Sequence, residues 1–198
     1  MTDTLSLFPE LAPSPAERDP VGLRYAEGVI APEVQAAVVD RIRPLDFAAF
    51  DFRGFKGNRR TVSFGSRYDF TENRIGSAEP LPDWLKPVRA TAAAFAGVPA
   101  DDLVQALITE YAPGAGIGWH RDRTEYGRVV GLSFASPCVL RFRQPEAQGW
   151  RRASQALRPG SAYLLDGPAR DAWQHSITPG GALRYSVTFR TLRPPSGV

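Results

Sequence analysis

Residues 109–123 read Thr-Glu-Tyr-Ala-Pro-Gly-Ala-Gly-Ile-Gly-Trp-His-Arg-Asp-Arg. One residue separates His120 from Asp122. Alternate side chains of an extended segment point the same way, so an imidazole and a carboxylate would converge on one point. The chain has only two histidines, and the second is His175. Two histidines and one carboxylate that leave coordination positions open suit non-haem Fe(II). The same donors could also serve a hydrolytic zinc. Composition alone puts an Asp two residues after a His about 5% of the time, so the surroundings must decide. Further on comes Arg184-Tyr185-Ser186-Val187-Thr188-Phe189-Arg190. Arginines six apart on a strand share a face. Near a metal they could take a dicarboxylic cosubstrate through bidentate ion pairs, or they could pair with protein carboxylates. Paired arginines would have no purpose in a zinc hydrolase.

The elements that must position these residues fall into two halves. In the first, Val29 to Leu45 reads as a helix: Pro32 suits its first turn, Glu33 its positive dipole end, and Ala36, Ala37, Val38 and Ile42 form a stripe. Leu81 to Gly97 reads as a second helix, with Gly97 as its C-cap residue and Pro99 beyond it. Between them, Phe47 to Arg74 interleaves Phe52, Phe55, Phe64, Tyr68 and Phe70 with arginines. Arg60–Phe64 and Arg67–Phe70 read as a hairpin about Gly65-Ser66. Aromatics among cations suit base stacking and phosphate contact. From Asp101 the pattern turns to strands: 103–111, 117–120, 128–135, 138–143, 161–165, 173–177 and 183–191. Short strands divided by Gly/Pro turns indicate a sandwich or barrel.

Composition bounds the rest. The chain has 198 residues, 43% of them hydrophobic, which is enough for one domain with a core. The sole cysteine, Cys138, excludes an internal disulfide and fits a reducing cytoplasm. It lies in an alternating strand as a buried thiol rather than a nucleophile. No apolar run reaches about 18 residues, so no membrane span is expected, and the N-terminus lacks the blocks of a secretory signal. No G-x-S-x-G elbow and no dinucleotide fingerprint are present. A net charge of +3, nearly all of the basic charge being arginine, permits a polyanionic partner. Residues 1–20 read as a mobile tail with four prolines. Within it Thr4-Leu5-Ser6-Leu7-Phe8 resembles the bacterial sliding-clamp-binding pentapeptide, through Leu5, Leu7 and Phe8.

Taken together, Tyr111-Ala112-Pro113-Gly114, His120-Arg121-Asp122, His175 and the 184–190 strand resemble an AlkB-type Fe(II)/2-oxoglutarate-dependent dioxygenase. The stretch from Arg59 through Phe70 is similar to that family's nucleotide-recognition lid. The resemblance implies a mainly β fold with flanking helices (α+β): a double-stranded β-helix (jelly-roll) core at 101–193. A helical and lid extension at 21–100 would complete a single domain over 21–198. It implies that His120, Asp122 and His175 ligate iron, and that Arg184 pairs with the distal carboxylate of 2-oxoglutarate. Tyr111, Arg190, Ser186 and Thr109 would add cosubstrate contacts. Thr109 and Ser186 stand where many members carry asparagine. Tyr68 and Phe70 would stack on the target base, with Trp119 near its far face. Arg59, Arg60, Arg67, Arg121 and Arg123 would hold phosphates. Thr124 would face the base, at a position that is acidic in some members.

The implied activity is oxidative demethylation of N-alkylated bases in DNA or RNA. It consumes O2 and 2-oxoglutarate and releases formaldehyde and succinate, in a monomeric cytoplasmic enzyme. Two alternatives stand beside it: the same chemistry on a protein or small molecule, and a non-catalytic binding module on this fold.

Overall fold

A computed structural model describes residues 19–52, 55–69 and 74–193, and of 50–52, 55–58, 67–69 and 74–75 the backbone only. The tail with Leu5, Leu7 and Phe8, and Phe70 of the lid, lie outside the described residues.

Helix α1 spans Pro32–Ile42, with Pro32 opening it, Glu33 in its first turn, and Val38 and Ile42 buried one turn apart. Helix α2 spans Lys86–Ala96. Its first turn is preceded by a 3-10 turn, Asp83–Leu85, and Gly97 ends it in the left-handed conformation (φ 68°). The short helix α3, Gly167–Asp171, is capped by Asp166, whose side chain accepts from the Gly167 amide.

Thirteen strands are described. They are β1 (Leu23–Ala26), β2 (Ala48–Phe52), β3 (Phe55–Phe64), β4 (Ser66–Asp69), β5 (Arg74–Ser77), β6 (Leu103–Tyr111), β7 (Ile117–His120), β8 (Tyr126–Phe134), β9 (Cys138–Glu146), β10 (Gly149–Leu157), β11 (Ala162–Leu165), β12 (Gln174–Ile177) and β13 (Arg184–Leu192). They form a seven-stranded sheet ordered β1-β11-β8-β13-β6-β3-β2, a four-stranded sheet ordered β10-β9-β12-β7 and a two-stranded sheet β4-β5. Every named pairing is antiparallel. One core lies between the large sheet and the helices, joining Ile42, Leu85 and Val88 to Ile108, Leu132, Val187 and Phe189. A second lies between the sheets, joining Tyr111, Tyr163 and Leu165 to Leu140, Phe142 and Ile177. The molecule is the expected jelly roll with helices on one flank.

Two expectations need correction. The first is the hairpin: β4 pairs with β5, while β3 pairs with β2 and β6. The chain breaks at Gly65, whose φ of +79° only glycine adopts easily. Its amide donates to the Glu79 carbonyl, so Gly65 joins the 78–79 segment instead of a two-residue turn. A Cβ there would lie 2.2 Å from the Val104 carbonyl oxygen on β6. The second is β10, which the sequence pattern did not show. It is an edge strand carrying Arg151, Arg152, Ser154 and Gln155, so it lacks the apolar alternation that marks a half-buried strand.

No helix among the described residues is long and apolar enough to cross a membrane. Replacing Gly65 by alanine is predicted to lower unfolding stability by about 2 kcal/mol or more, through left-handed strain and the backbone clash. Urea midpoints of the two proteins would check this, and equal midpoints would refute the reading of this kink.

Candidate active site

β13 has two unlike faces. Tyr185, Val187 and Phe189 turn to the helices, and Arg184, Ser186, Thr188 and Arg190 turn to the four-stranded sheet. All four polar residues lie at or near the fully buried limit, so each needs a partner. The register supplies polar rows across the large sheet. Arg59, Tyr111 and Arg184 stand abreast on β3, β6 and β13, as do Thr61, Thr109, Ser186 and Ser133 on β3, β6, β13 and β8.

The facing sheet brings the histidines together. His120 on β7 and His175 on β12 are register partners. Their rings lie 4.3 Å apart, tilted by 58°. Asp122 follows β7 and turns into the same space, with Oδ2 3.5 Å from His175 Nε2. Two donors about 2.1 Å from one ion and at right angles to it would be ~3 Å apart. The 120–122 spacing and the distant His175 thus meet as expected. Among the described residues, however, no three His, Cys, Asp or Glu side chains close onto a single ion as they stand.

The protonation states favour a cation all the same. The Gly118 carbonyl, 2.9 Å from His120 Nδ1, can only accept, so that nitrogen carries the proton and Nε2 keeps its lone pair. Burial pushes the His175 imidazole down to about 3, with His120 adding to the shift and Asp122 opposing it. Burial likewise lowers His120, against Asp122 and the Gly118 carbonyl. For Asp122 burial acts upward, but the Arg190 guanidinium against it outweighs this and holds the carboxyl well below the usual range. Two neutral imidazoles and one carboxylate are the protonation states a metal requires. His175 Nδ1 is buried without a hydrogen-bond partner among the described residues.

The two arginines have different tasks. Arg190 donates to Asp122 Oδ1 from Nε (2.9 Å) and Nη2 (2.6 Å), and to Gln105 Oε1 from Nη1 (2.9 Å). It is engaged with the carboxylate rather than free for a cosubstrate. Arg184 touches no carboxylate among the described residues. Its Nε and Nη2 reach the Ser133 hydroxyl at 3.2 and 3.1 Å, its guanidinium lies 4.8 Å from the centre of the Tyr111 ring, and its Nη1 is buried without a partner. A cation so placed calls for an anion. A small cavity lined by Tyr111, Cys138, Ile177 and Arg184 adjoins it.

A family model described as the 2OG-Fe(II) oxygenase superfamily matches residues 23–190. The chain belongs to that superfamily. Its cofactors are Fe(II) and the cosubstrates 2-oxoglutarate and O2. An Arabidopsis thaliana protein named alkylated DNA repair protein ALKBH8 homolog is 28% identical over 58% of this chain and 38% of its own length. The Xenopus tropicalis tRNA (carboxymethyluridine(34)-5-O)-methyltransferase alkbh8 is 26% identical over 81% of this chain and 26% of its own. The chain thus spans less than half the length of the curated relatives it matches. The solved structure of OsALKBH1 superposes with a TM-score of 0.65 at 16% identity, covering 87% of this chain and 97% of that one. A Pseudomonas putida prolyl-4-hydroxylase superposes at 0.61, also at 16% identity, covering 87% and 93%. At such identity these two show the shared oxygenase fold.

The donor set, the neutral imidazoles and the orphaned Arg184 Nη1 fit Fe(II) and a dicarboxylate. Other expected contacts are redistributed by the sheet. Arg59 faces the site interior beside Tyr111. Arg60 faces the opposite side, ion-paired with Glu110 at 2.7 Å and lying over Phe47, and is withdrawn as a phosphate contact. Trp119 points to the outer face of the four-stranded sheet, because its neighbour His120 points inward, so it is withdrawn as cover for the base. Arg121 is exposed and reaches the Ala172 carbonyl, Arg123 lies 3.8 Å from Glu125, and Thr124 sits on an exposed loop. The side chains of Arg67 and Tyr68 lie outside what is described.

Three site residues escaped sequence reading. Gln105 satisfies Arg190; a polar residue in step with Thr109 and Tyr111 on one strand was the available signal. Tyr163 covers Gly131, where a Cβ would meet its ring at 2.2 Å. Burial pushes its phenol well above the usual range, so it remains a donor. Arg170 donates to the carbonyls of Arg123, Tyr126 and Gly127 and clamps the loop after Asp122.

A neutral buried His175 makes the folded chain bind fewer protons than the unfolded chain below about pH 6.5, where free histidine ionises. Stability of the metal-free protein is therefore predicted to fall as pH drops from about 6.5 towards 3. His175→Asn should flatten that slope. Chemical denaturation at stepped pH after chelation checks it, and parallel curves for the two proteins would contradict it.

Proposed function

We propose that the protein is an Fe(II)- and 2-oxoglutarate-dependent oxidative demethylase of N-alkylated bases in nucleic acid. The observation that carries this reading is the buried pairing of His120, His175 and Asp122 beside an arginine, Arg184, that lacks an anion. Base damage as the substrate rests on the AlkB-type family and on relatives whose names refer to alkylated DNA and to tRNA.

His120 Nε2, His175 Nε2 and Asp122 would hold the iron on one side and leave the other for substrate. Arg190 and Gln105 keep Asp122 ionised and oriented. Arg184, with Ser133 and Tyr111, would take the distal carboxylate of 2-oxoglutarate, and Thr109 and Ser186 line the same buried stripe. Bound iron would supply the oxidation: one atom of O2 enters the N-methyl group, whose carbon leaves as formaldehyde, and the other enters 2-oxoglutarate, which leaves as succinate and CO2. The chemistry calls for no general base: both histidines would spend their Nε2 lone pairs on the iron, and Tyr163 stays protonated. Such chemistry needs an unpaired or flipped base. Tyr68 and Phe70 on the lid are the proposed stacking pair, worth about 1–3 kcal/mol per stacked base. Arg59 is the proposed cation nearest the site. The cytoplasm and a monomeric state belong to the same reading.

The test is formaldehyde release from methylated single- and double-stranded DNA and from tRNA, with Fe(II) and 2-oxoglutarate. Turnover of at least one methylated polynucleotide is expected. Succinate formation driven only by a peptide or a small molecule would replace the substrate class, and no succinate with any substrate would favour a binding module. Arg184→Ala is predicted to raise the KM for 2-oxoglutarate roughly 10- to 150-fold, the range for a lost hydrogen bond to a charged group. An unchanged KM would remove Arg184 from the cosubstrate site.

A further inference from the structure

The strands that carry the two histidines present a different chemistry on their other side. Trp119 is the outward neighbour of His120. Across the sheet Arg141 and Arg143 on β9 lie over its ring, with guanidinium carbons 5.1 and 4.5 Å from the centroid. Arg143 also stacks on Trp150 of β10 at 4.2 Å, so its guanidinium sits between two indoles. Trp150 remains 42% exposed. Helices cover the outer face of the large sheet, but no element of the described chain covers this one.

The charge here is unbalanced. Arg152 on β10 stands directly opposite Arg143 in the ladder, and like charges in that relation destabilise a sheet. Along β9, β10 and β12 this face reads Val139, Arg141, Arg143 and Pro145, then Trp150, Arg152, Ser154 and Ala156, then Gln174 and Ser176. It contains no Asp or Glu. Arg141 and Arg143 spend only Nε on the protein, donating to Ser176 Oγ (3.1 Å) and Gln174 Oε1 (2.7 Å). Among the described residues their Nη groups have no hydrogen-bond partner and are not buried, and Arg152 is exposed and unpaired. Purely structural cation–π pairs would not require a third arginine opposite the second. A polyanion would relieve that repulsion, and its bases could use the exposed indole.

We propose that this face is a second nucleic-acid-binding surface, on which the single-stranded flank of the substrate lies with phosphates on Arg141, Arg143 and Arg152 and a base on Trp150. The inference rests on the nucleic-acid reading of the active site. β7 is the edge strand of its sheet, so a chain that rounds this edge passes from Trp119 on the outside to His120 on the inside. Aromatic platforms in a basic track are what sequence-tolerant single-strand binding uses.

The experiment measures binding of a fluorescein-labelled, unmodified 20-nucleotide single-stranded DNA, and of RNA of the same sequence, to the full chain at several salt concentrations. Arg152→Glu is expected to weaken binding about tenfold at low salt and to make the log–log salt slope shallower by about 0.7 or more, the value per lost phosphate contact. Trp150→Ala is expected to weaken it about 5- to 150-fold, the range for a lost stacking platform. Succinate formed from 2-oxoglutarate without nucleic acid should stay at the wild-type value in Arg152→Glu, and the thermal midpoint should not fall below it, because the exchange removes the repulsion with Arg143. Wild-type affinity and slope in that variant would overturn the inference. So would loss, in that variant, of binding to phosphatidylserine vesicles with oligonucleotide binding intact. If the wild-type protein turns over a methylated oligonucleotide while these variants bind as it does, the outer surface alone is refuted. If the wild-type protein neither binds nor turns over any oligonucleotide, the nucleic-acid reading itself has failed.

Discussion

The contact between Arg190 and Asp122 is the constraint on which the rest of the site depends. Asp122 is almost wholly buried between two imidazoles that burial keeps neutral. Without a cation beside it the carboxylate would protonate and lose its value as a ligand. Arg190 prevents this with two short charge-assisted bonds, and Gln105 occupies its remaining edge. A buried ion pair adds little net stability, because desolvation offsets most of the attraction. Its contribution here is to orientation and charge state. Arg170 extends the same control to the chain after Asp122 through three backbone carbonyls.

That contact is possible because β13 separates its tasks by face. Its apolar face seals the core under the helices, and its polar face runs through the space between the sheets. Burying a row of polar side chains is costly unless each is met. Its two arginines are met by Ser133, Gln105 and Asp122, except at Arg184 Nη1. The unmet atom falls at the proposed cosubstrate end and the met ones around the carboxylate, so one strand carries both a filled and an open position.

The same period of two governs the small sheet. His120 and His175 face inward, while Trp119 and Gln174, next to them in the chain, face outward among stacked arginines. Chemistry and the basic aromatic surface are thus coupled by backbone geometry. A one-residue slip of β7 would exchange the histidine for the tryptophan and abolish both.

The residues of the centre and much of the framework were legible in the sequence. The 120–122 spacing, the single remaining histidine and the arginines six apart are local periodicities, and local periodicity survives folding. The two helices carried their own start and stop signals in Pro32 and Gly97. What the chain could not disclose were relations set by register between distant strands. Arg59 and Arg60 look alike in sequence, yet one faces Tyr111 and the other Glu110. Trp119 reads as a neighbour of His120, the proposed iron ligand, and points to the other side of the sheet. Gly65 reads as a hairpin turn, but its close approach to Val104 sends β4 away from β3. Partners such as Gln105, Ser133 and Arg170 lie roughly 40 to 85 residues from the atoms they satisfy. The choice of which cation holds the carboxylate and which is left without an anion is made only when the sheets close.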